Sequence, residues 1–269
     1  MLLSHPSAEE VARGLLRQEF RLYLQPKFDL LSGAVFAVEA LARWHHPLRG
    51  VLAPGLFIAT LEKHHWLDTL FFQLLEQGLR CQWQLHQLNV ELGFSFNVSP
   101  TQLLNGDWSE RLQQRLQQHP LPASSVTLEI TEGALAQSAN SVCTQLMRLK
   151  GLGLRLSMDD FGTGHSSLLR LCQLPFNEIK LAGEFVRDLS LNPQHQAIIE
   201  STLGLATQLG LSLVVEGIET QEQRQWLALR GVSLGQGYLC ARPMPVEALL
   251  GWVKTPVLIP LHHKGPSTR

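Results

Sequence analysis

The chain has 269 residues, 45% of them hydrophobic, with 22 Lys and Arg against 23 Asp and Glu. That is enough apolar mass for one large core or two modest ones, and the near-neutral balance without a long basic stretch excludes a nucleic acid polymer as partner. Cysteines at 81, 143, 172 and 240 form no CxxC pair and fit no zinc ribbon. They read as reduced, mostly buried thiols of a cytoplasmic protein. Neither a basic-flanked apolar leader nor a membrane-length run is present, so no membrane partner is expected, and a tether or an upstream sensory or receiver domain is expected only outside this sequence.

In chain order, residues 1–18 read as a helical lead-in, with residues before Ser7 as the remnant of a linker. Eight short apolar runs follow: Phe20 to Gln25, Ala34 to Ala42, Gly93 to Val98, Val126 to Thr131, Leu154 to Asp159, Glu178 to Leu181, Leu211 to Glu216 and Val232 to Leu239. Most are Leu-rich or β-branched, which suits strands buried on both faces. Helical patterns lie between them at Phe71 to Trp83, Ala134 to Leu149, Gln194 to Leu209 and Gln221 to Leu229. In the third, Ile198, Leu203, Leu205 and Leu209 form the expected apolar stripe. Strands alternating with helices over about 250 residues predict an α/β fold, a (β/α)8 barrel over residues 19–254; an open doubly wound sheet is the alternative. Pro26 to Gly33 is too short for a crossover helix, and Ser32-Gly33 signals a turn. Strands 1 and 2 should therefore pair antiparallel, making this a modified TIM barrel with one antiparallel strand. Residues 255–269 read as a loose tail.

Polar residues recur late in every run: Gln25, Glu39, Asn97, Glu129, Asp159, Lys180, Glu216 and Gln236. In a barrel the parallel ends converge on one face, where active sites lie. Asp159 and Asp160 are adjacent acids closing an apolar run, a costly placement unless a cation lies between them. Glu39, Asn97, Glu129, Asp159, Asp160 and Glu216 all offer oxygen, with no Cys or His among them, which favours Mg²⁺ or Mn²⁺. Five carboxylates can neutralise two divalent ions, the usual arrangement for phosphoester hydrolysis. Lys180 could orient a water or hold a phosphate oxygen. Arg43 suits either a phosphate or a structural ion pair with one of these acids.

These residues sit in blocks that resemble a known family. Glu39-Ala40-Leu41 with Arg43-Trp44 resembles the signature that names the EAL domain. Phe96 to Pro100, Leu128 to Glu132, Asp159 to Ser167, Val215 to Thr220, Gly235 to Tyr238 and Arg242 to Pro245 are similar to the family's later blocks, in order. The resemblance implies a phosphodiesterase that hydrolyses the bacterial second messenger cyclic di-GMP to linear pGpG. It implies Glu39, Asn97, Glu129 and Asp159 around a first ion, Asp159 bridging, Asp160 helping to hold a second, and Glu216 as ligand or base. Lys180 would bind the nucleophilic water, and Gln236 would support it or the ligand network. Gln25, Leu41, Arg43, Glu219 and Pro243 would line the dinucleotide groove. Glu132 would anchor the loop at 161–167, beside which the family often forms a homodimer.

Three positions depart from the pattern. Ala182 stands where the family has Asp two residues after the lysine, His165 where it has Tyr, and Val232-Ser233 where it often has Cys-Asp. None removes a metal ligand. The missing carboxylate raises the alternative of a weak or inactive EAL domain acting as a cyclic di-GMP receptor. The pairs His45-His46, His64-His65 and His262-His263 read as surface residues, and Trp66, Phe71 and Phe72 as helix core.

Overall fold

The computed structural model describes residues 5–131, 140–164 and 168–253. Its strands are β1 (Phe20–Asp29), β2 (Val35–His46), β3 (Gly50–Leu52), β4 (Gly93–Asn97), β5 (Val126–Thr131), β6 (Arg155–Phe161), β7 (Glu178–Leu181), β8 (Ser212–Val215), β9 (Leu234–Gln236) and β10 (Met244–Pro245). The sheet order is β10-β1-β9-β8-β7-β6-β5-β4-β2-β3, and β1 also pairs with β2. That pairing closes an eight-stranded barrel, with β3 and β10 as short additions outside the ring. β2 and β4 to β9 run parallel, whereas β1 is antiparallel to both barrel neighbours. The modified TIM barrel expected from the sequence is the fold observed.

The β1–β2 connection is tighter than expected, because Pro26, Lys27 and Phe28 belong to β1. Asp29 Oδ1 accepts from the Ser32 amide and hydroxyl, both at 2.7 Å, and Gly33 turns at φ 75°. Pro26 falls between the stretch of β1 paired with β10 and the stretch paired with β9. A missing N–H is least costly where the ladder is interrupted.

Alternate strand residues point out of the barrel and are covered by helices. Phe94, Phe96, Leu128, Ile130, Leu156, Met158, Ile179 and Val215 are all buried this way. The helix Leu67–Gln87 lies across β1 and β4 with Phe71, Phe72 and Leu75 buried, as expected, while Trp66 is half-buried. It approaches so closely that a Cβ at Gly78 would stand 2.5 Å from Phe96 Cζ. The helix Pro193–Leu209 corrects the expected stripe. Ile199, Thr202 and Ala206 are buried, while Ile198 and Leu209 are each 37% exposed. A small inward face lets this helix sit close to β7 and β8, so the larger side chains lie at its flanks.

The N-terminal helix Ala8–Leu16 is closed by a reciprocal cap between Ser7 and Glu10. Glu10 also pairs with Arg49 at 3.1 Å and faces His46 Nε2 at 3.5 Å. His46 is therefore buried, against the surface reading of its pair, and its Nδ1 accepts from the Leu48 and Arg49 amides. His45, His64 and His65 are exposed as expected; His262-His263 lie outside the described residues. All four cysteines are free, with Cys81 and Cys240 buried, Cys143 half-buried and Cys172 exposed. Among the described residues no helix is long and apolar enough to cross a membrane.

Candidate active site

β2 carries Glu39, β4 ends on Asn97, β5 carries Glu129, β6 carries Asp159 and Asp160, and β7 carries Lys180. Glu216 follows the last residue of β8, and β9 ends on Gln236. Parallel strands thus bring these side chains to one mouth. Gln25 arrives for a different reason than strand polarity, since β1 runs the other way. It stands directly opposite Glu39 in the β1–β2 register.

Lys180 is the centre of the group, its side chain 1% exposed. Its Nζ lies 2.7 Å from Glu129 Oε2, 2.7 Å from Glu216 Oε1, 2.9 Å from Asp159 Oδ1 and 3.4 Å from Glu39 Oε2. Asn97 Nδ2 donates to Glu39 Oε1 at 2.9 Å, and Gln236 Nε2 donates to Glu39 Oε2 at 2.7 Å. Gln236 also reaches Gln25 Oε1 at 3.3 Å. Two further charges lie deeper and escaped the sequence reading. Lys27 Nζ is 2.8 Å from Glu129 Oε1 and 2.9 Å from Glu178 Oε1. The signal was the two-residue period, because Lys27 follows Gln25, and Glu178 precedes Lys180, on the same strand face.

Burial divides the titrations. It would depress the Lys180 ammonium, but Glu129, Glu39, Glu216 and Asp159 outweigh it and hold the pKa well above the usual lysine range. Burial pushes Glu39 and Asp159 up despite Lys180, and pushes Glu216 up to about 7. Glu129 feels the same burial, yet Lys180 and Lys27 together hold it at about 2. Lys27 is raised because Glu129 and Glu178 outweigh its desolvation.

Adjacent strand residues normally face opposite sides, so Asp159 and Asp160 need a local distortion to act together. The β6–β7 register shifts between Met158 and Phe161, and Asp160 adopts φ 55°, left-handed for a non-glycine residue. The result is a carboxylate oxygen from each of Asp159, Asp160 and Glu216, all within 4.8 Å of one another. Asp159 Oδ1 is buried and lies off the direction of a hydrogen bond from Lys180, and Gln236 Oε1 is buried without a hydrogen-bond partner among the described residues. The Asp159, Asp160 and Glu216 oxygens at this spacing fit a hard divalent cation.

A cleft of about 310 Å³ opens over Glu39, Asp159, Lys180 and Glu216, walled by Gln25, Leu41, Glu219, Gln236 and Tyr238. Leu41 also borders a more apolar cleft of about 470 Å³ that reaches Asn97 and Glu129. Arg43 and Pro243 do not line the first cleft. The Arg43 guanidinium donates to the Ala42 carbonyl at 2.8 Å and lies over the Tyr23 ring, with no ion pair among the described residues. Pro243 precedes β10, which pairs with Tyr23 and Leu24. Ala182 is buried just past β7 and lines neither cleft. Glu132 and His165 lie outside the described residues.

Among known proteins, the chain is 45% identical over 247 residues to the cyclic di-GMP phosphodiesterase RocR of Pseudomonas aeruginosa, covering 92% of this chain and 63% of RocR. It is 37% identical over 235 residues to the cyclic di-GMP phosphodiesterase PA2567 of the same organism, covering 87% of this chain and 40% of that protein. The chain thus spans less than two thirds of the length of either relative. A solved structure of the PaMucR phosphodiesterase in complex with c-di-GMP superposes with a TM-score of 0.84 at 33% identity, covering 90% of this chain and 98% of that one. Residues 8–243, which contain the barrel and every acid around Lys180, match a single family, and the chain belongs to the EAL domain family.

Proposed function

We propose that the chain is a metal-dependent phosphodiesterase that opens cyclic di-GMP to linear pGpG. The observation that carries this reading is the convergence of Asp159, Asp160 and Glu216 oxygens within 4.8 Å beside the Lys180 ammonium. Glu39, Glu129, Asp159, Asp160, Glu178 and Glu216 supply six negative charges, and Lys27 and Lys180 supply two positive ones. The difference of four negative charges suits two divalent ions, and the oxygen donors suit Mg²⁺ or Mn²⁺. Glu39, Asn97, Glu129, Asp159, Asp160 and Glu216 would hold them. Such ions lower the pKa of a nearby water and offset charge on phosphoryl oxygens.

The chain's own groups do the rest. The Lys180 ammonium orients the attacking water against the phosphorus. Glu216, partly open to the cleft, accepts the proton as the water oxygen bonds to phosphorus; the ester P–O bond breaks and the departing ribose oxygen takes a proton from solvent in the cleft. Gln236 ties Glu39 to Gln25 and so joins the ring to the groove wall. Gln25, Leu41 and Glu219 line the groove for the dinucleotide, and Arg43 and Pro243 act at its outer edge. Four free thiols fit a reducing cytoplasm. We further infer a homodimer through the surface beside residues 161–167, with Glu132 anchoring that loop; light scattering tests the first and Glu132→Ala the second.

The alternative, a non-catalytic receptor, rests on Ala182, and the retained acids and lysine do not favour it. The deciding experiment is hydrolysis of cyclic di-GMP with Mg²⁺ or Mn²⁺ by the parent and by Glu39→Ala. pGpG from the parent and none from the variant is the expected result. No product at high enzyme concentration, with ligand binding retained in Ca²⁺, would replace this reading with the receptor.

A further inference from the structure

Beneath the acid ring lies an ion pair that adds no net charge to the site and is given neither metal nor substrate to hold. Lys27 and Glu178 face one another at 2.9 Å inside the barrel, 1% and 5% exposed. TIM barrels usually fill this depth with bulky branched side chains. Here Ser95, Thr127 and Ser212 are among the residues around a cavity of about 630 Å³ at the opposite mouth. A buried ion pair in place of apolar filling is rarely favoured for stability alone, since well-packed hydrophobic replacements are often neutral or better. The pair's contacts point to another reason for its presence.

Glu178 Oε1 accepts from Ser157 Oγ at 2.9 Å as well as from Lys27. Lys27 in turn takes Glu129 Oε1 at 2.8 Å, while Glu129 Oε2 takes Lys180 at 2.7 Å. Both Glu129 oxygens are therefore committed, one downward and one into the ring. We infer that Lys27, held by Glu178, is a positioning residue: it fixes the Glu129 carboxylate from below so that its other oxygen sets the place of Lys180 among the acids. This inference rests on the phosphodiesterase reading of the ring. Outer partners of this kind orient the inner groups of a metal site, and their removal costs on the order of 10–100-fold in affinity or activity.

The test compares the parent with Lys27→Met and with Lys27→Met/Glu178→Met. The single variant leaves Glu178 as an uncompensated buried charge and is expected to melt earlier. The double variant removes the whole pair and is expected to regain most of that melting temperature. Its kcat on cyclic di-GMP should nevertheless stay down on the order of 10–100-fold, with KM moving less than about threefold. A double variant that regains kcat together with melting temperature makes the pair merely structural and overturns the inference. Should the parent itself not turn over, the phosphodiesterase reading fails, and calorimetric titration with Mn²⁺ decides this one separately. Affinity on the order of tenfold weaker in the double variant supports it. Equal affinity, or no Mn²⁺ binding by the parent, overturns it.

Discussion

The Lys180 ammonium and the Glu216 carboxylate meet at 2.7 Å, yet they differ sharply in access: the lysine side chain is 1% exposed and the glutamate 22%. One partner is sealed in the barrel and keeps its proton. The other opens to the cleft and can exchange protons with what binds there. The asymmetry separates holding from transfer within one contact.

Lys180→Met removes the charge shared by Glu39, Glu129, Asp159 and Glu216. Stripping the counter-charge from a buried cluster costs about 3 kcal/mol or more, so the variant should melt earlier in chelator. Its kcat should fall by about 10²-fold or more, the usual cost of losing the group that positions a reactant. A kcat within tenfold of the parent would remove Lys180 from the reaction.

Glu39→Gln separates stability from catalysis. Burial already pushes the Glu39 carboxyl up, with Glu129 and Asp159 adding repulsion. Removing its charge relieves that repulsion, and the Gln236 amide can turn its unpartnered Oε1 toward the new NH₂. Melting in chelator should come no earlier than in the parent, while turnover is lost. Thermal scans beside a pGpG assay check both halves.

The pH dependence has a definite sign. An unfolded glutamate releases its proton near 4.5, whereas folded Glu216 holds it to about 7. Its contribution to stability is full below 4.5 and lost as pH rises through 7; Glu39 and Asp159, also raised, act in the same direction. Glu129, held at about 2, contributes above 4.5 and loses that contribution only as pH falls through 2. Between pH 5 and 8 the chelated protein should therefore melt progressively earlier. Divalent ions bind the deprotonated acids, so added Mn²⁺ should raise the melting temperature more at pH 8 than at pH 6. Equal increments at the two pH values would contradict this.

Asp160→Gly tests the strained backbone. Glycine adopts φ 55° freely, so the chelated variant should be as stable as the parent or gain up to about 1 kcal/mol. Its Mn²⁺ affinity, measured by calorimetry, should fall by about tenfold because one of three converging oxygens is gone.

Ala182→Asp restores the carboxylate that the family carries there. Turnover should be preserved or raised. A large loss of kcat would mean that the packing around this buried position has adapted to alanine.

The acids were legible because Glu129 and Asp159 sit late in their strands, Glu216 follows β8 and Glu39 lies near the end of the stretch of β2 paired with β4, and parallel strands in a barrel share one mouth. Asp159-Asp160 was legible as a charge problem, but the bulge and left-handed φ that solve it have no local signature. Lys27 was missed because Pro26 made its segment read as a turn. Its burial follows from pairing with β2 and β9, which the local sequence does not encode. His46 was missed for a similar reason, since its neighbours Glu10 and Arg49 come from another helix and the loop beyond β2. The helix Pro193–Leu209 shows the limit of hydrophobic periodicity: close packing selected Thr202 and Ala206 over larger apolar neighbours.

The reversed direction of β1 makes the turn after Asp29 a setting for the catalytic mouth at the other end of the strand. Because Gln25 stands opposite Glu39 through a register set by that turn together with the bulge between Lys27 and Phe28, a one-residue change among Leu30 to Ala34 that the bulge does not absorb shifts the pairing by one. A one-residue slip turns alternate side chains to the other face. Gln25 would then leave the ring and Lys27 would leave Glu129. A length change far from the cleft thus acts on the active site as directly as a substitution within it.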